Sequence, residues 1–573
     1  MRCSALSTPY CRTHPPIATA MPHYPPRRKT YPVRIGTCTI GSGHPIALQT
    51  MANVSTLETT SAAQQAVRCA REGCDIFRYT VQGEREAAAL ESIARQIRAS
   101  GCNVPLVADI HFRSEPAFAA LPFVEKVRIN PGNFTDSRLG YRGQAAALER
   151  IHEVFGRFVD ETASQGKAIR IGVNHGSLSP RILEKYGNTP QGMVESCMEY
   201  LRVCAEKGFK EAVISMKASD VSLMTQAVRL LCSAMDGENM PYPLHLGVTE
   251  AGSDEDGRIK SAVGIGSLLV DGLGDTIRVS LSEEPECELR FGRKLLSYIS
   301  ALRSDADSQE AVTYRPAGRH SELPKRKSTP VIIGSGGDYP YDEALARRFA
   351  GVTRVRTRAL NQEEEGRPEP THPAPADELL VLRAGGLNAL ALWRKALQEE
   401  QPRGAVLLVY ETEETRPEEI LIEVCVQLGS VLLQGAGDGI MLSAPALTAE
   451  QHRRLLLGVL QALRLRMSHT EFISCPGCGR TMFNLQETVQ RIKAHFGHLP
   501  ALKIGIMGCV VNGPGEMADA QYGYVGAGRG KVDLYKGQTP VKRGIPQEKA
   551  VKELEELIRS EGDWIDPPQE PEG

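Results

Sequence analysis

The stretch Leu106-Val107-Ala108-Asp109-Ile110-His111-Phe112 is short and apolar, and a polar turn and a helical pattern follow it. This pattern is typical of a buried strand that leads into a helix. The same unit recurs eight times between residues 33 and 302. The strands are predicted at 47–51, 76–81, 106–112, 126–130, 168–173, 212–217, 244–249 and 276–281. Eight strand–helix units in succession predict a TIM (β/α)8 barrel.

Polar side chains stand at the ends of these predicted strands. The cations are Arg78, Arg128, Arg170, Lys217 and Arg278, the neutral donors are Asn130, Asn174 and Ser280, and Asp109, His111 and Glu250 complete the set. Side chains at the carboxyl ends of barrel strands converge at one mouth. A single arginine there is usually a charge at the rim. Five cations from five strands, in a chain of formal net charge −2, instead predict a bound polyanion such as a diphosphate.

A cysteine motif lies near the C-terminus. Cys475-Pro476-Gly477-Cys478 is followed, after an apolar strand-like run, by Gly508-Cys509-Val510-Val511-Asn512-Gly513-Pro514-Gly515-Glu516. Three thiolates suit an iron–sulfur cluster or zinc, and the fourth ligand must come from elsewhere. The sharp turn in the loop brings Glu516 back toward Cys509, and an oxygen ligand on a soft cluster is displaceable. A structural zinc site that uses His495 or His498 is the alternative.

These motifs resemble those of the 4-hydroxy-3-methylbut-2-enyl diphosphate synthase family. Besides the cysteine motif and the stretch Val107–Phe112, the resemblance rests on Gln49-Thr50-Met51-Ala52-Asn53-Val54-Ser55-Thr56 and Val248-Thr249-Glu250-Ala251-Gly252. It covers residues 30–300 and 455–560, and it looks like the larger, three-domain form of the family, which carries an insert between those parts.

The resemblance implies an activity and a cofactor. It implies reductive ring opening of 2-C-methyl-D-erythritol 2,4-cyclodiphosphate, a step of the methylerythritol phosphate pathway to isoprenoids, to give 4-hydroxy-3-methylbut-2-enyl diphosphate. It also implies a 4Fe–4S cluster on Cys475, Cys478, Cys509 and Glu516, with flavodoxin or ferredoxin as the electron donor. We expect Glu250 to donate a proton to the departing hydroxyl group, because a carboxylic acid in a closed site has a raised pKa. Pairing of this carboxylate with Arg278 or Arg128 is the structural alternative.

Two further functions and two arrangements of the domains stay open. The other enzyme is a barrel transferase that acts on a phosphorylated or pterin substrate and carries a structural zinc appendage; a non-enzymatic scaffold ranks below it. In the two-domain members of the family, the cluster domain closes on the barrel of a neighbouring chain. The present chain therefore either forms such a homodimer or closes within itself with the help of the insert.

The chain is too long for a single core, since it has 573 residues. We predict a disordered leader at 1–30, the barrel at 31–302, a linker at 303–330, an inserted α/β spacer domain at 331–450, an α+β iron–sulfur domain at 455–562 and a disordered tail at 563–573. The insert contains Gly334-Ser335-Gly336-Gly337, which we interpret as a turn rather than a phosphate loop, and a strand predicted at 431–442.

Composition indicates a cytoplasmic protein. The small net charge argues against bulk nucleic-acid binding, and no apolar run reaches the roughly 18 residues of a membrane span. Fourteen cysteines scattered along a long chain are typical of reduced thiols. The leader has no acidic residue, so it is either an organellar import signal, a disordered tail or an artefact of the assigned start.

Overall fold

The computed structural model describes residues 24–110, 113–135, 144–303, 325–334, 336–341, 348–349, 352–360, 375–510 and 513–567. His111, Ser335, residues 1–23 of the predicted leader, residues 304–324 of the predicted linker and the end of the predicted tail lie outside the described residues.

The first part of the chain folds into a barrel of eight parallel strands. The antiparallel hairpin of β1 (Val33–Ile35) and β2 (Cys38–Ile40) precedes it and packs on its bottom layer. The barrel strands are β3 (Ala47–Met51), β4 (Ile76–Val81), β5 (Leu106–Ile110), β6 (Lys126–Ile129), β7 (Ala168–Asn174), β8 (Ala212–Lys217), β9 (His245–Leu246) and β10 (Thr276–Ile277). A parallel bridge between Ile214 and Leu244 joins β8 to the start of β9 and closes the ring. The predicted TIM barrel is confirmed.

Helices follow the strands and cover the barrel. They are α1 (Thr59–Arg71), α2 (Glu84–Ala99), α3 (Glu115–Ala120), α4 (Pro131–Phe134), α5 (Gln144–Arg150), α6 (Gly156–Ser164), α7 (Pro180–Tyr186), α8 (Pro190–Glu206), α9 (Val221–Gly237), α10 (Asp254–Val270) and α11 (Pro285–Arg303). Their starts follow ordinary capping chemistry: Asp220, for example, accepts the backbone N–H of Leu223 at 3.0 Å, which starts α9. Short 3-10 or π turns lie at Leu121–Phe123, Ile151–Phe155 and His175–Ser177.

The last two barrel strands are shorter than predicted. We expected strands at 244–249 and 276–281, but β9 ends at Leu246 and β10 at Ile277. The chain leaves the ladder there because it contacts the C-terminal domain: Ala251 forms a parallel bridge with Ser474, and the Ser282 hydroxyl donates to the carbonyl oxygen of Cys475 at 2.9 Å. The ends of these strands therefore build an interface rather than a sheet.

The insert contains a five-stranded parallel sheet, in the order β11-β15-β14-β13-β12. Its elements are β11 (Val331–Ile332), β12 (Arg354–Ala359), β13 (Glu378–Gly385), α12 (Ala389–Glu400), β14 (Ala405–Glu411), α13 (Pro417–Leu433), β15 (Gly439–Ser443) and α14 (Ala449–Ala462). The strand predicted at 431–442 starts too early, because the chain up to Leu433 belongs to α13 and β15 begins only at Gly439. The predictions also missed β12, a largely exposed edge strand with three arginines and little apolar signal.

The insert packs directly on the barrel through α13 and α10. Glycines let the two helices approach closely: a Cβ atom at Gly429 would lie 2.9 Å from Val263, and one at Gly266 would lie 2.7 Å from Val426. The buried side chains of both parts form one continuous apolar core. The insert is therefore held firmly against the barrel.

The C-terminal domain is α+β, as predicted. Its elements are β16 (Glu471–Ser474), α15 (Leu485–Phe496), β17 (Lys503–Met507), α16 (Gly513–Glu516), β18 (Tyr522–Gly528), β19 (Lys531–Lys536), β20 (Thr539–Pro546) and α17 (Gln547–Ser560). The first three strands are parallel and the last two antiparallel. The helix behind the cysteine pair begins at Leu485 because the Asn484 side chain caps it.

Residues 24–30 are not part of a disordered leader, which corrects the predicted boundary at residue 30. Tyr24 and Arg28 are buried, and Arg28 donates to Asp236 with Nε at 3.0 Å from Oδ1. Arg27 pairs with Asp275 at 2.7 Å. Within the described ranges, no helix has the length and apolar character that a membrane crossing requires.

Candidate functional site

One cavity lies between the barrel mouth and the C-terminal domain, and a single chain supplies both walls. The barrel wall consists of Met51, Arg78, Asp109, Arg128, Arg170, Asn174, Lys217, Thr249, Glu250, Arg278 and Ser280. The opposite wall consists of Cys475, Pro476, Gly477, Cys478, Arg480, Thr481, Met507, Gly508, Cys509, Gly513 and Glu516. The structure thus brings together most of the predicted binding residues with all four predicted metal ligands.

Asp109 lies between two of the barrel arginines. Its carboxylate is 3.2 Å from Nη1 of Arg128 and 3.7 Å from Nε of Arg78. Arg128 also donates to the carbonyl oxygen of Gly172 at 2.9 Å. Burial, which outweighs the attraction of Asp109, lowers the pKa of Arg78 to about 10. Asp109 therefore holds the two guanidinium groups in place at the cavity wall.

Arg278 is fixed by a buried carboxylate. Its Nε and Nη2 donate to the two oxygens of Glu288 at 3.0 and 2.9 Å, a bidentate pair. The sulfur of Met51 accepts from Arg278 at 2.9 Å and from Arg78 at 3.0 Å, so it joins the two arginines. Neither Met51 nor Glu288 was predicted as a site residue, because Met51 contacts arginines that are distant in sequence and Glu288 acts from helix α11.

Arg170 and Lys217 are two buried basic side chains at the cavity wall. Arg170 is 2% exposed and donates from Nη2 to Ser215 at 3.1 Å. Its Nε and Nη1 have no hydrogen-bond partner among the residues that the structure describes. Burial, and then the charges of Arg170, Arg78 and Arg278, lower the pKa of Lys217 well below its ordinary value. An anion bound in the cavity would satisfy both groups.

Of the predicted binding residues that the structure describes, Asn130 is not part of the cavity wall. Asn130 instead caps α4, where its side-chain oxygen accepts the N–H of Gly132 at 3.2 Å, and its amide donates to Ser177 at 2.9 Å. Its role as a direct substrate ligand stays a prediction. His111 lies outside the described residues and keeps the status of a prediction.

Glu250 is buried at the cavity wall. Its exposed fraction is 2%, its backbone has a φ of 49°, and the Thr249 hydroxyl donates to its carboxylate. Burial, followed by the adjacent carboxylate of Glu516, raises the pKa of Glu250 well above its ordinary value. Arg278 and Arg128, the partners considered in the structural alternative, bind Glu288 and Asp109 instead.

The cysteine wall is organised by backbone and side-chain donors. Cys475 Sγ accepts the backbone N–H of Gly508 at 3.2 Å, and Arg480 places Nε 3.4 Å from Cys478 Sγ. The Thr481 hydroxyl accepts the backbone N–H of Cys478 at 3.1 Å. Arg480 was missed in the sequence, although a cation two residues after a cysteine pair is the signal that points to it.

Glu516 completes this wall from the short helix α16. Its carboxylate accepts from the Asn174 amide at 3.2 Å, which links the two domains. The alternative zinc ligands point elsewhere: His495 contacts Glu555 at 2.8 Å, and His498 contacts the carbonyl oxygen of Ile565 at 2.8 Å. The histidine-based zinc site is therefore not formed.

The donor set fits an iron–sulfur cluster better than a single metal ion. In the described part of the chain, no three His, Cys, Asp or Glu side chains are gathered closely enough to chelate one ion. Cluster ligands stand farther apart, because each iron takes its own ligand. Three thiols and one carboxylate around a common cavity satisfy that requirement, and Arg480 offsets thiolate charge.

The two domains meet through a close backbone contact beside Glu516. A Cβ atom at Gly176 would lie 1.9 Å from the carbonyl oxygen of Gly515, and one at Gly515 would lie 2.2 Å from that of Gly176. Only glycine allows this approach on either side. The contact seals the cavity at the point where α16 meets the turn that follows β7.

Comparisons with known proteins agree with this architecture. The model of the GcpE TIM-barrel domain matches residues 30–293, and that of the GcpE protein C-terminal domain matches residues 471–560.

Three curated relatives bear the name 4-hydroxy-3-methylbut-2-en-1-yl diphosphate synthase (flavodoxin). The Porphyromonas gingivalis protein is 47% identical over 94% of this chain and 98% of its own length. Those of Parabacteroides distasonis and Bacteroides thetaiotaomicron are 44% and 42% identical, over 94% and 93% of this chain and 99% and 98% of their own lengths. The resemblance seen in the motifs is thus confirmed, and the chain belongs to the GcpE family of 4-hydroxy-3-methylbut-2-en-1-yl diphosphate synthases.

Proposed function

We propose that this chain catalyses the reductive ring opening of 2-C-methyl-D-erythritol 2,4-cyclodiphosphate to 4-hydroxy-3-methylbut-2-enyl diphosphate. The reaction consumes two electrons and two protons and releases one water, while the bond from carbon to the ring phosphate oxygen breaks. The supporting observation is the single cavity whose one wall is cationic and whose other wall carries three cysteines. We therefore propose this function rather than the barrel transferase that the sequence analysis kept as the alternative.

The cationic wall binds the diphosphate. Arg170 and Lys217 are the primary contacts, because two Arg170 nitrogens have no partner among the described residues and Lys217 lies at the same wall beside three arginines. Arg78, Arg128 and Arg278 are pre-oriented by Asp109 and Glu288, so little side-chain entropy is lost when the anion binds. The hydroxyl of Ser280, buried at the same wall, adds a neutral donor.

A 4Fe–4S cluster held by Cys475, Cys478, Cys509 and Glu516 supplies the electrons, one at a time, when it is bound. Asn174 orients the Glu516 carboxylate through its hydrogen bond, and Arg480 offsets negative charge at Cys478. The contact between Gly176 and Gly515 keeps the C-terminal domain on the barrel, which excludes water from the reacting groups.

Glu250 holds the proton that the departing hydroxyl group takes. Burial alone favours the neutral carboxylic acid, and burial persists whatever occupies the cavity. Thr249 fixes the orientation of the carboxyl group. The structural position thus suits a general acid that faces substrate held by Lys217 and Arg170.

The electron donor is a flavodoxin, as the names of the relatives suggest, and the enzyme works in the cytoplasm. A second chain is not needed to complete the cavity, because the described residues of one chain form both walls.

Anaerobic turnover tests this function. The purified holoenzyme, the cyclodiphosphate and an artificial reductant should yield the linear diphosphate, and the protein should be brown, with about four irons and four sulfides per chain. Cys509→Ser is the matched variant, which should lose cluster and turnover together. A colourless, zinc-containing wild-type protein that leaves the cyclodiphosphate unchanged would refute the proposal.

A further inference from the structure

We propose that the electron donor docks on an apolar rim formed by Leu57, Met482 and Val510, beside Cys478. This inference rests on the proposed function and names the surface that its flavodoxin contacts. These three side chains are 44%, 42% and 44% exposed, and they come from three segments of the chain that meet beside the cysteine wall. Exposed apolar groups that gather at one place mark interaction sites.

Backbone contacts hold the three segments together around the cysteines. The N–H of Met482 donates to the carbonyl oxygen of Gly508 at 3.0 Å, and Val510 lies two residues beyond Gly508. On the other side, a Cβ atom at Gly479 would lie 2.9 Å from the carbonyl oxygen of Val54, in the barrel segment that leads to Leu57. The rim therefore spans both domains at the edge of the cavity.

This rim is also a short protein path from solvent to the proposed cluster. Cys478 is partly exposed, whereas Cys509 is buried. Met482 lies only four residues after Cys478, and the hydroxyl of Thr481, its neighbour, accepts the backbone N–H of Cys478. Electron transfer slows steeply with distance, so a donor gains most by approaching at this edge.

A flavodoxin suits such a surface. Its flavin is a flat aromatic group, and an apolar rim matches the edge of such a group better than a charged surface does. Redox partners form small, short-lived interfaces, and three exposed apolar side chains are enough to orient one. Because the rim includes Leu57 of the barrel, docking there also requires the C-terminal domain to be closed over the barrel.

The test compares two reductants on holoenzyme variants. Met482→Glu and Leu57→Glu should raise the KM for reduced flavodoxin by about tenfold each, since buried interface anchors dominate binding. Turnover with a small artificial reductant should be unchanged, because that reductant does not dock. Val541→Glu is the matched control: Val541 is 43% exposed on β20, away from the cysteine loops, and its substitution should change neither assay.

The outcomes separate this proposal from the proposed function. An unchanged flavodoxin KM in Leu57→Glu would overturn the docking surface by itself, because Leu57 lies outside the cysteine loops and its substitution spares the cluster. An equal rise in Val541→Glu would also overturn it, by showing a general effect of added charge. Failure of the wild type with the artificial reductant would instead refute the proposed function.

Discussion

Glu250 and Arg170 illustrate how buried charge shapes the barrel mouth at the scale of single residues. Each is 2% exposed, and among the described residues neither forms an ion pair of the kind that fixes Arg278 on Glu288. Burial makes the Glu250 carboxyl group keep its proton despite the attraction of Lys217, and a buried guanidinium group with unsatisfied N–H groups attracts an anion. These two preferences suit a site that binds the diphosphate of a substrate and protonates its departing hydroxyl group.

Replacing Glu250 tests whether this residue is the general acid. Glu250→Gln keeps the size of the side chain and its hydrogen bond to Thr249, but it has no proton to donate. Substrate affinity and iron content should stay near wild type, while kcat should fall by roughly 100-fold or more, the contribution typical of general acids. Anaerobic kinetics, equilibrium binding and iron analysis of the same sample measure all three. A near-normal kcat would assign the proton to another acid, such as Asp109 or His111.

Lys126 gives a pH-dependent prediction about stability. It is fully buried at the start of β6, and burial, followed by repulsion from Arg170, lowers its pKa from 10.5 to about 7. Between these values the unfolded chain binds the proton and the folded protein does not. The free energy of unfolding therefore rises with pH across this window, by up to about 1.4 kcal/mol per unit, and the contribution is constant below it.

Lys126→Met, which keeps the length of the side chain, should remove this dependence. The variant should be more stable than wild type at pH 7, and its advantage should shrink as the pH approaches 9. Denaturant unfolding of both proteins at several pH values provides the comparison. A stability difference that stays constant from pH 7 to 9 would show that Lys126 keeps its charge in the folded protein.

Among the structural elements, the regular parts of the fold were predictable and the ends were not. The strands at 76–81 and 212–217 match β4 and β8, because an apolar run between turns leaves few alternatives. The run at 244–249 has the same apolar character, yet only His245–Leu246 is a strand, because the following residues bind the C-terminal domain. A contact between distant segments leaves no trace in local periodicity.

The same reason explains which site residues the sequence revealed. Arg170 and Lys217 were found because a strand end in a barrel points to the mouth. Asn130 also follows a barrel strand, yet its side chain caps α4. The sequence alone does not show whether such a side chain caps the next helix or faces the mouth. Met51 escaped notice because its partner Arg78 lies on another strand, and Glu288 did so because it lies on helix α11 rather than at a strand end.

The glycine contact between the domains is testable at this scale. In Gly176→Ala, the new methyl group would meet the carbonyl oxygen of Gly515 at 1.9 Å and push α16, which carries Glu516, away from the barrel. We expect turnover to fall on the order of 100-fold, the cost of misplacing a reacting group by about 1 Å. Iron content should persist, since Cys475, Cys478 and Cys509 lie elsewhere in the C-terminal domain. Gly237→Ala, whose Cβ atom meets nothing within 4 Å, should be fully active; equal activity in Gly176→Ala would show that the contact is dispensable.

For the whole molecule, the arrangement of the domains is the main consequence of the insert. Its helix α13 is locked on α10 of the barrel, and α14 then leads the chain to β16 beside Ser282. This path places the cysteine wall over the barrel of the same chain. The role of the insert as a spacer remains a proposal. Such a spacer explains how one chain can form the complete cavity, which the resemblance implies that two-domain members share between neighbouring chains.

Mixing two inactive variants tests closure within one chain. Glu250→Gln lacks the acid of the barrel wall, and Cys509→Ser lacks a cluster ligand of the opposite wall. If each chain closes on itself, co-expression of the two should give no more turnover than the separate variants, whatever the oligomeric state. If the C-terminal domain instead closes on a neighbouring barrel, mixed dimers would contain one intact site, and about a quarter of wild-type turnover would return, which would contradict closure within the chain.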